Sequence, residues 1–359
     1  MSETQRVAVR EQAITGCLLG TAVGDAVGLA CEGLSRRRQA RLFPHLDGPR
    51  LLGRRGMVSD DTEHTCLIAQ ALIESAGEPE AFTRALARRL RLWLLGLPAG
   101  VGWATLRATI KLCLGVPPSR SGVPSAGNGP AMRSALLGVC YGNDPARLRA
   151  LVKASARLTH TDPRAEVGAL AVALAAHLAS EAPADLPGMF LYTLDGLLWG
   201  ADAGFLDLAR RVADSVHAGE TTQTFAASLG ADERVSGYVY QTVPVVLHAW
   251  LRFPRDYRRA VLSVVHCGGD TDTTGAIVGV IVGAAVGQDG IPAEWRVALW
   301  EWPRTVAWMT RLGAQLAAVC ADGQPQRPLS LPFLPQLARN VFFAAVVLTH
   351  GFRRLLPPY

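Results

Sequence analysis

The sequence predicts an all-α fold from three observations. First, segments rich in alanine and leucine carry apolar residues at three-to-four spacing, the periodicity of a helix with one buried face. Second, several of these segments begin at or near a proline, where the missing N–H costs no helical hydrogen bond. Third, alternating β-branched stretches are scarce, and the best strand candidate, Val239–Val246, is interrupted by Pro244. The predicted helices are Ile14–Leu29, Glu63–Glu74, Glu80–Leu95, Pro130–Tyr141, Pro145–Leu158, Pro163–Ser180 and Ala276–Val286.

The composition is typical of a protein with a large core. The chain has 359 residues, 49% of them hydrophobic, enough for one large domain or two ordinary ones. The start, MSETQRVAVREQ, lacks the apolar core of a signal peptide, and the glycine-and-aliphatic run Ala276–Gly287 is too short to span a bilayer. Seven scattered cysteines without a CxxC pair favour reduced thiols. We therefore expect a cytoplasmic protein with no membrane span.

The net charge of +6 comes almost wholly from arginine, since Lys111 and Lys153 are the only lysines. The densest basic stretch runs from Arg36 to Arg55. No recognition helix or aromatic-studded sheet motif accompanies it, so we expect no nucleic-acid partner. The alternatives are a solvated face and a surface that steers a phosphate-bearing substrate.

Loops and the tail interrupt the helical pattern. Glycine and proline mark long loops at Leu114–Pro130 and Ala182–Gly188. After about Asp322 the chain becomes proline-rich, and NVFFAAVVLTHGFRRLL then has the pattern of an amphipathic helix. We expect this tail to pack on the body, with docking to a partner or to a membrane surface as alternatives.

Two acid–hydroxyl clusters, VSDDTEHT (58–65) and HCGGDTDTTG (266–275), each precede an apolar helical run. Helix capping explains either one alone: Asp60 with Glu63 fits a capping box, and Asp270 or Asp272 could cap the second helix. A cap needs only one acid, however, and paired acids in a partly dry site repel one another unless a cation compensates. Oxygen ligands suit Mg²⁺, Mn²⁺ or Ca²⁺, whereas zinc would have only His266 and Cys267 nearby. Two such clusters could hold two ions roughly 3.5–4 Å apart.

A third element is GCLLGTAVGDAVGLACEG (16–33), with glycine at every fourth position from 16 to 28. Small residues at this spacing allow another helix to approach closely. We interpret Asp25 as a buried acid satisfied by backbone or arginine. Glu32 follows the predicted end of the helix and could project into a cleft.

Together these pieces resemble the ADP-ribosylglycohydrolase family. The matching segments stand in family order over about residues 12–290: the glycine helix, GMVSDDTEHT, GNGPAMR, LTHTDPRAE, SGYVYQTV and HCGGDTDTTGAIVGVIVGA. The resemblance implies a compact, single-domain, orthogonal all-α bundle around a binuclear metal centre with two Mg²⁺, or Mn²⁺ in their place. We assign residues 1–315 to this catalytic domain and 316–359 to a proline-rich extension with an amphipathic helix.

The resemblance also implies roles for individual residues. The metal ligands would be Ser59, Asp60, Asp61, Asp270, Asp272 and Thr273. Glu32 matches a glutamate beside the metals, and Glu32 or Asp270 would accept the proton of the attacking water. The substrate-binding residues would be Asn128, Gly129, His160 and Tyr238.

The implied activity is hydrolysis of the bond between ADP-ribose and a modified protein side chain. We expect an arginine linkage first, with serine-linked or O-acetyl-ADP-ribose behind it, and reversal of a toxin's modification as a further role with that toxin as partner. An ADP-ribose-binding module without turnover and a different two-metal hydrolase are the alternatives.

The chain departs from the family pattern at several places. Ser59 replaces the usual threonine but keeps the hydroxyl, and Gln241 stands where an acid is frequent. Residues 180–235 and the tail from about 315 have no clear counterpart. These regions are expected to decide the protein partner.

Overall fold

A computed structural model describes residues 3–198, 200 and 202–353. The regular elements of this part of the chain are all helices, and single β-bridges between loops take the place of strands. The α-helices are α1 (Glu3–Gly28), α2 (Arg36–Leu42), α3 (Asp60–Ser75), α4 (Pro79–Leu95), α5 (Trp103–Cys113), α6 (Pro118–Ser121), α7 (Ala135–Tyr141), α8 (Pro145–Arg157), α9 (Pro163–Glu181), α10 (Leu186–Leu198), α11 (Ala203–His217), α12 (Thr222–Ser228), α13 (Val239–Arg252), α14 (Tyr257–Val265), α15 (Thr271–Val286), α16 (Ala293–Val297), α17 (Val306–Asp322) and α18 (Phe333–Arg353).

The all-α prediction is confirmed, and six of the seven predicted segments correspond to single helices. The exception is Pro130–Tyr141, which starts with the 3₁₀ turn Ala131–Arg133 before α7 begins. The discounted strand candidate Val239–Val246 is not a strand, as the all-α prediction requires: these residues open helix α13, with Pro244 inside it. Proline removes one intrahelical hydrogen bond, but most residues of α13 are buried, and this packing outweighs the local preference.

The centre of the fold is a close contact between α1 and α15. Glycines of α1 meet the α15 backbone in antiparallel order, Gly16 beside Gly283 and Gly24 beside Gly275. At the end of the row, a Cβ on Gly28 would lie 2.0 Å from the carbonyl oxygen of Thr271. The glycine spacing therefore brings the end of α1 directly against the start of α15.

Helix α1 is apolar because it lies in the core. The segment Val7–Cys31 has the length and hydropathy of a membrane-spanning helix, but its most apolar part is entirely buried inside the protein. Among the described residues it is the one helix that qualifies. The cysteines are all free thiols, most of them buried.

The C-terminal tail packs on the body. Phe343 and Val346 of α18 are buried in a small apolar cluster with Leu29, Leu51 and Met57. The boundary placed at residue 315 falls inside α17 (Val306–Asp322), so helix continuity crosses it.

Candidate active site

The two acid clusters meet at the starts of α3 and α15. The hydroxyl of Thr273 donates to Oδ2 of Asp61 at 3.1 Å, across 212 residues of chain. The hydroxyl of Ser59 donates to the same oxygen, also at 3.1 Å. Residues of both predicted triplets thus share one carboxylate oxygen.

Capping explains little of this arrangement. The N-cap of α3 is Ser59, whose hydroxyl accepts from the N–H of Asp61, so the predicted capping box of Asp60 and Glu63 is wrong. The Glu63 carboxylate instead accepts hydrogen bonds from Trp93 Nε1 (2.6 Å) and an Arg304 guanidinium nitrogen (3.0 Å). Asp270 is the N-cap of α15 by position but makes no side-chain cap bond.

Glu32 lies beside the second cluster. Its Oε2 accepts from the N–H of Thr271 at 2.9 Å, and Glu32, Asp270 and Asp272 each offer an oxygen, all within 4.8 Å of one another. The position follows from the α1–α15 contact, since Glu32 stands four residues after Gly28, which touches Thr271. Glu32 also lines the neighbouring cleft.

Asp25 has the structural role expected of it. This fully buried carboxylate accepts from the N–H of Ser59 at 2.8 Å and from the N–H and hydroxyl of Thr62 at 3.3 and 2.5 Å. Asp25 on α1 therefore holds the first turn of α3, and with it the first triplet, in place.

Burial and crowding of negative charge raise the pKa of the site carboxyls. In each case burial is the largest cause and the charge of Asp272 the next, for Asp25, Glu32, Asp60, Asp61 and Asp270. The pKa rises to about 8 for Asp25 and to about 7 for Asp270. Such crowding is costly unless a cation is bound.

The donor set fits a hard divalent cation. Oδ1 of Asp61 is buried and has no hydrogen-bond partner among the described residues, so one acceptor oxygen is left for another ligand. The surrounding donors are carboxylate and hydroxyl oxygens, which Mg²⁺ and Mn²⁺ prefer. His266 and Cys267 are not among the described residues that line the cleft.

The cleft above the acid cluster has a volume of about 850 Å³. Two isolated β-bridges join the loops around the acid cluster, one between Gly127 and Tyr238 and one between Val235 and Gly269. Asn128 lies at their meeting point, where its Nδ2 donates to Asp270 Oδ2 at 2.6 Å. Asn128 therefore contacts a predicted metal ligand as well as the cavity.

His160 lines the same cleft, next to the loop that carries Asn128. A Cβ on Gly129 would lie 2.9 Å from His160 Cε1, so glycine permits this close approach. Burial, helped by Arg133, lowers the pKa of His160 to about 3, which keeps the ring neutral. His160 Nδ1 lies 2.8 Å from the hydroxyl of Thr159, which also accepts from Arg133.

Tyr238 is placed differently from the other predicted residues. It is not among the described residues that line the cavity, and its side chain is 42% exposed. Its hydroxyl accepts from Arg164 at 3.3 Å, and the same guanidinium lies over its ring. Gln241, the residue at a frequent acid position, accepts from the N–H and hydroxyl of Ser236.

Three contributors were not predicted from the sequence. Arg133 is a buried cation that donates to the hydroxyls of Ser155 and Thr159 and contacts His64, and its only sequence mark is its place in GNGPAMR. Gly237 lines the cleft, and its carbonyl accepts from the N–H of Asn128 at 2.9 Å. Helix α18 also lines the cleft, which nothing in its local pattern indicates.

The fold and the sequence have known counterparts. A solved structure titled "ADP-ribosylglycohydrolase-related protein complex" superposes with a TM-score of 0.65 at 30% identity, covering 87% of this chain and 99% of that one. The profile of the ADP-ribosylglycohydrolase family matches residues 6–326. The chain therefore belongs to the ADP-ribosylglycohydrolase family.

Two relatives illustrate the range of that family. The ADP-ribosyl-[dinitrogen reductase] glycohydrolase of Rhodospirillum rubrum is 28% identical over 287 residues, 78% of this chain and 87% of its own. The ADP-ribosylhydrolase ARH3 of Gallus gallus is 29% identical over 323 residues, again 78% of this chain and 87% of its own.

Proposed function

We propose that the protein hydrolyses the bond between the anomeric ribose carbon of ADP-ribose and a modified protein side chain, and so reverses mono-ADP-ribosylation. Family membership supports an ADP-ribosyl hydrolase. The observation that carries the proposal is the bond between Thr273 and Asp61, because it joins the two acid clusters at one cavity that Glu32 also lines.

We further propose two Mg²⁺ ions, or Mn²⁺, as cofactors. Their ligands would be Ser59, Asp60, Asp61, Asp270, Asp272 and Thr273. The unpartnered oxygen of Asp61 and the crowded carboxylates support such a site. A bound divalent ion lowers the pKa of a coordinated water and so makes a nucleophile available near neutral pH.

The protein side chains handle the proton and the leaving group. As the water oxygen bonds to the anomeric carbon, the water gives a proton to a carboxylate, the glycosidic bond breaks, and the leaving atom takes a proton from a carboxyl group. We assign proton transfer to Glu32, which lines the cavity and belongs to neither triplet; its Oε2 is oriented by the N–H of Thr271. Asp270 is the second candidate for the general base.

ADP-ribose would lie along the loop of Asn128 and Gly129, with His160 beside it. A neutral imidazole suits this position because it donates or accepts one hydrogen bond without adding charge. Tyr238 would contribute at the outer edge, where its side chain is exposed.

The linkage and the cellular location are proposed from the sequence. Arginine is the first linkage to test, and serine-linked and O-acetyl-ADP-ribose come next. The proposed location is the cytoplasm. A role in immunity to an ADP-ribosylating toxin belongs to the same proposal. The competing function is an ADP-ribose-binding module without turnover.

The deciding experiment measures ADP-ribose released from arginine-, serine- and O-acetyl-linked substrates, with Mg²⁺ and with EDTA. The test variant is Asp272→Ala, and the matched control is Asp289→Ala, which removes an exposed acid. We expect Mg²⁺-dependent release that falls by orders of magnitude in the test variant only. Tight metal-dependent ADP-ribose binding without release from any substrate would instead support the binding module.

A further inference from the structure

Helix α18 contributes to the cleft although it lies beyond the family match, which ends at residue 326. Three of its side chains, those of Phe343, Val347 and His350, line the same cavity as Glu32 and Asp60. One wall of the cleft is thus supplied by a segment outside the matched region.

This wall is held by buried polar contacts. Arg339 is 2% exposed and donates to both carboxylate oxygens of Glu301 at 2.7 Å and to the carbonyl of Val58 at 2.6 Å. Glu301 in turn accepts from the N–H of Val58 at 3.2 Å. Both backbone groups of the residue before Ser59 are therefore tied to α18 or to its ion-pair partner. The next residue, Asn340, donates to the carbonyl of Gly96 at 2.8 Å.

Two of these three α18 side chains, Phe343 and Val347, are apolar. Phe343 packs with Leu29 and Leu51, and Val347 lies against this cluster. Leu29 is the first residue of the 3₁₀ turn that ends just before Glu32. Leu29 in this apolar cluster is therefore three residues before Glu32 in the chain. Asn128 and Gly129 belong to a different loop.

We propose that the wall formed by Leu29, Leu51, Phe343 and Val347 receives the leaving group, specifically the aliphatic stem of a long modified side chain. The inference rests on the proposed function and adds the part of the cleft that selects among the linkages. An arginine linkage carries its guanidino group on three methylenes, which gain free energy from apolar contact while the polar end lies by Glu32. O-acetyl-ADP-ribose has no such stem.

The test compares kcat/KM for an arginine-ADP-ribosylated peptide with kcat/KM for O-acetyl-ADP-ribose. The variant is Val347→Asn, which keeps the size of the side chain but makes it polar. The matched control is Val341→Asn on the same helix, because Val341 is 57% exposed and is not among the described residues that line the cleft. Thermal midpoints of both variants report whether the fold is kept.

The expected result is that the ratio of the two kcat/KM values falls about 10-fold in Val347→Asn, the order seen for one lost apolar group, and stays unchanged in Val341→Asn. Equal ratios in wild type and Val347→Asn, or a wild type that hydrolyses only O-acetyl-ADP-ribose, would overturn the wall's role while leaving the hydrolase intact. A wild type that releases ADP-ribose from neither substrate would also overturn the wall's role, and if serine-linked substrate is inert as well, the hydrolase proposal itself is refuted.

Discussion

The contact between α1 and α15 predicts that Gly24→Ala destabilises the protein. A Cβ on residue 24 would lie 2.1 Å from the carbonyl oxygen of Gly275 and 2.7 Å from its carbonyl carbon. Ordinary carbon–oxygen contacts are about 3.3–3.6 Å, so the two backbones would have to separate by roughly 1 Å. Neither side of this contact is a flexible side chain that could move away.

The magnitude follows from two opposing effects. Overpacking a tight core costs about 1–3 kcal/mol, and the backbone-to-backbone contact places this site at the upper end. The better helix propensity of alanine returns about 1 kcal/mol. A net loss of about 2 kcal/mol lowers the melting temperature by about 3 °C, because unfolding entropy scales with chain length.

The control is the same substitution at Gly196. This glycine is also inside a helix, α10, but it is exposed, and no atom lies within 4 Å of the Cβ that would be added. Only the propensity effect remains there, so Gly196→Ala should raise the free energy of unfolding by about 0.5–1 kcal/mol. Circular dichroism melts of both variants in one buffer provide the comparison. A Gly24→Ala midpoint equal to or above that of wild type would refute the close-packing argument.

Three further predictions concern charge. Glu63→Ala should cost about 3–5 kcal/mol, because it leaves the buried guanidinium groups of Arg304 and Arg339 without their shared carboxylate; a urea-midpoint change worth under 1 kcal/mol would contradict this. Burial lowers the pKa of His248 to about 4, below the ordinary 6.5 of the unfolded chain, so its contribution is complete above pH 6.5 and is lost as pH falls toward 4. That contribution is at most about 3 kcal/mol, and His248→Gln should flatten the stability–pH curve in this window; an unchanged slope speaks against it. Finally, Mg²⁺ at about 100 times its Kd should stabilise wild type by about 2.7 kcal/mol in thermal melts, with the effect lost in Asp272→Ala; equal shifts in both would place the ion elsewhere.

Local rules predicted much of the fold and part of the site. Helix periodicity and proline positions located the long helices, since side-chain spacing along one segment decides which face is buried. β-branched content alone would favour a strand at Val239–Val246, but most residues of α13 are buried, and packing holds them in a helix. Local rules failed for the capping box, because the Glu63 carboxylate finds stronger partners in a distant part of the chain.

The sequence by itself determined which chemistry is available: two oxygen-rich acid clusters, a glutamate after a glycine-spaced helix, and the motif order of the family. Only the tertiary structure decided which groups meet. It joined Asp61 to Thr273, turned the side chain of Tyr238 toward Arg164, buried the apolar length of α1 and brought α18 to the cleft. The reason is physical: composition and spacing act over a few residues, whereas the partner of a buried charge or an apolar face is set by packing between segments far apart in the chain.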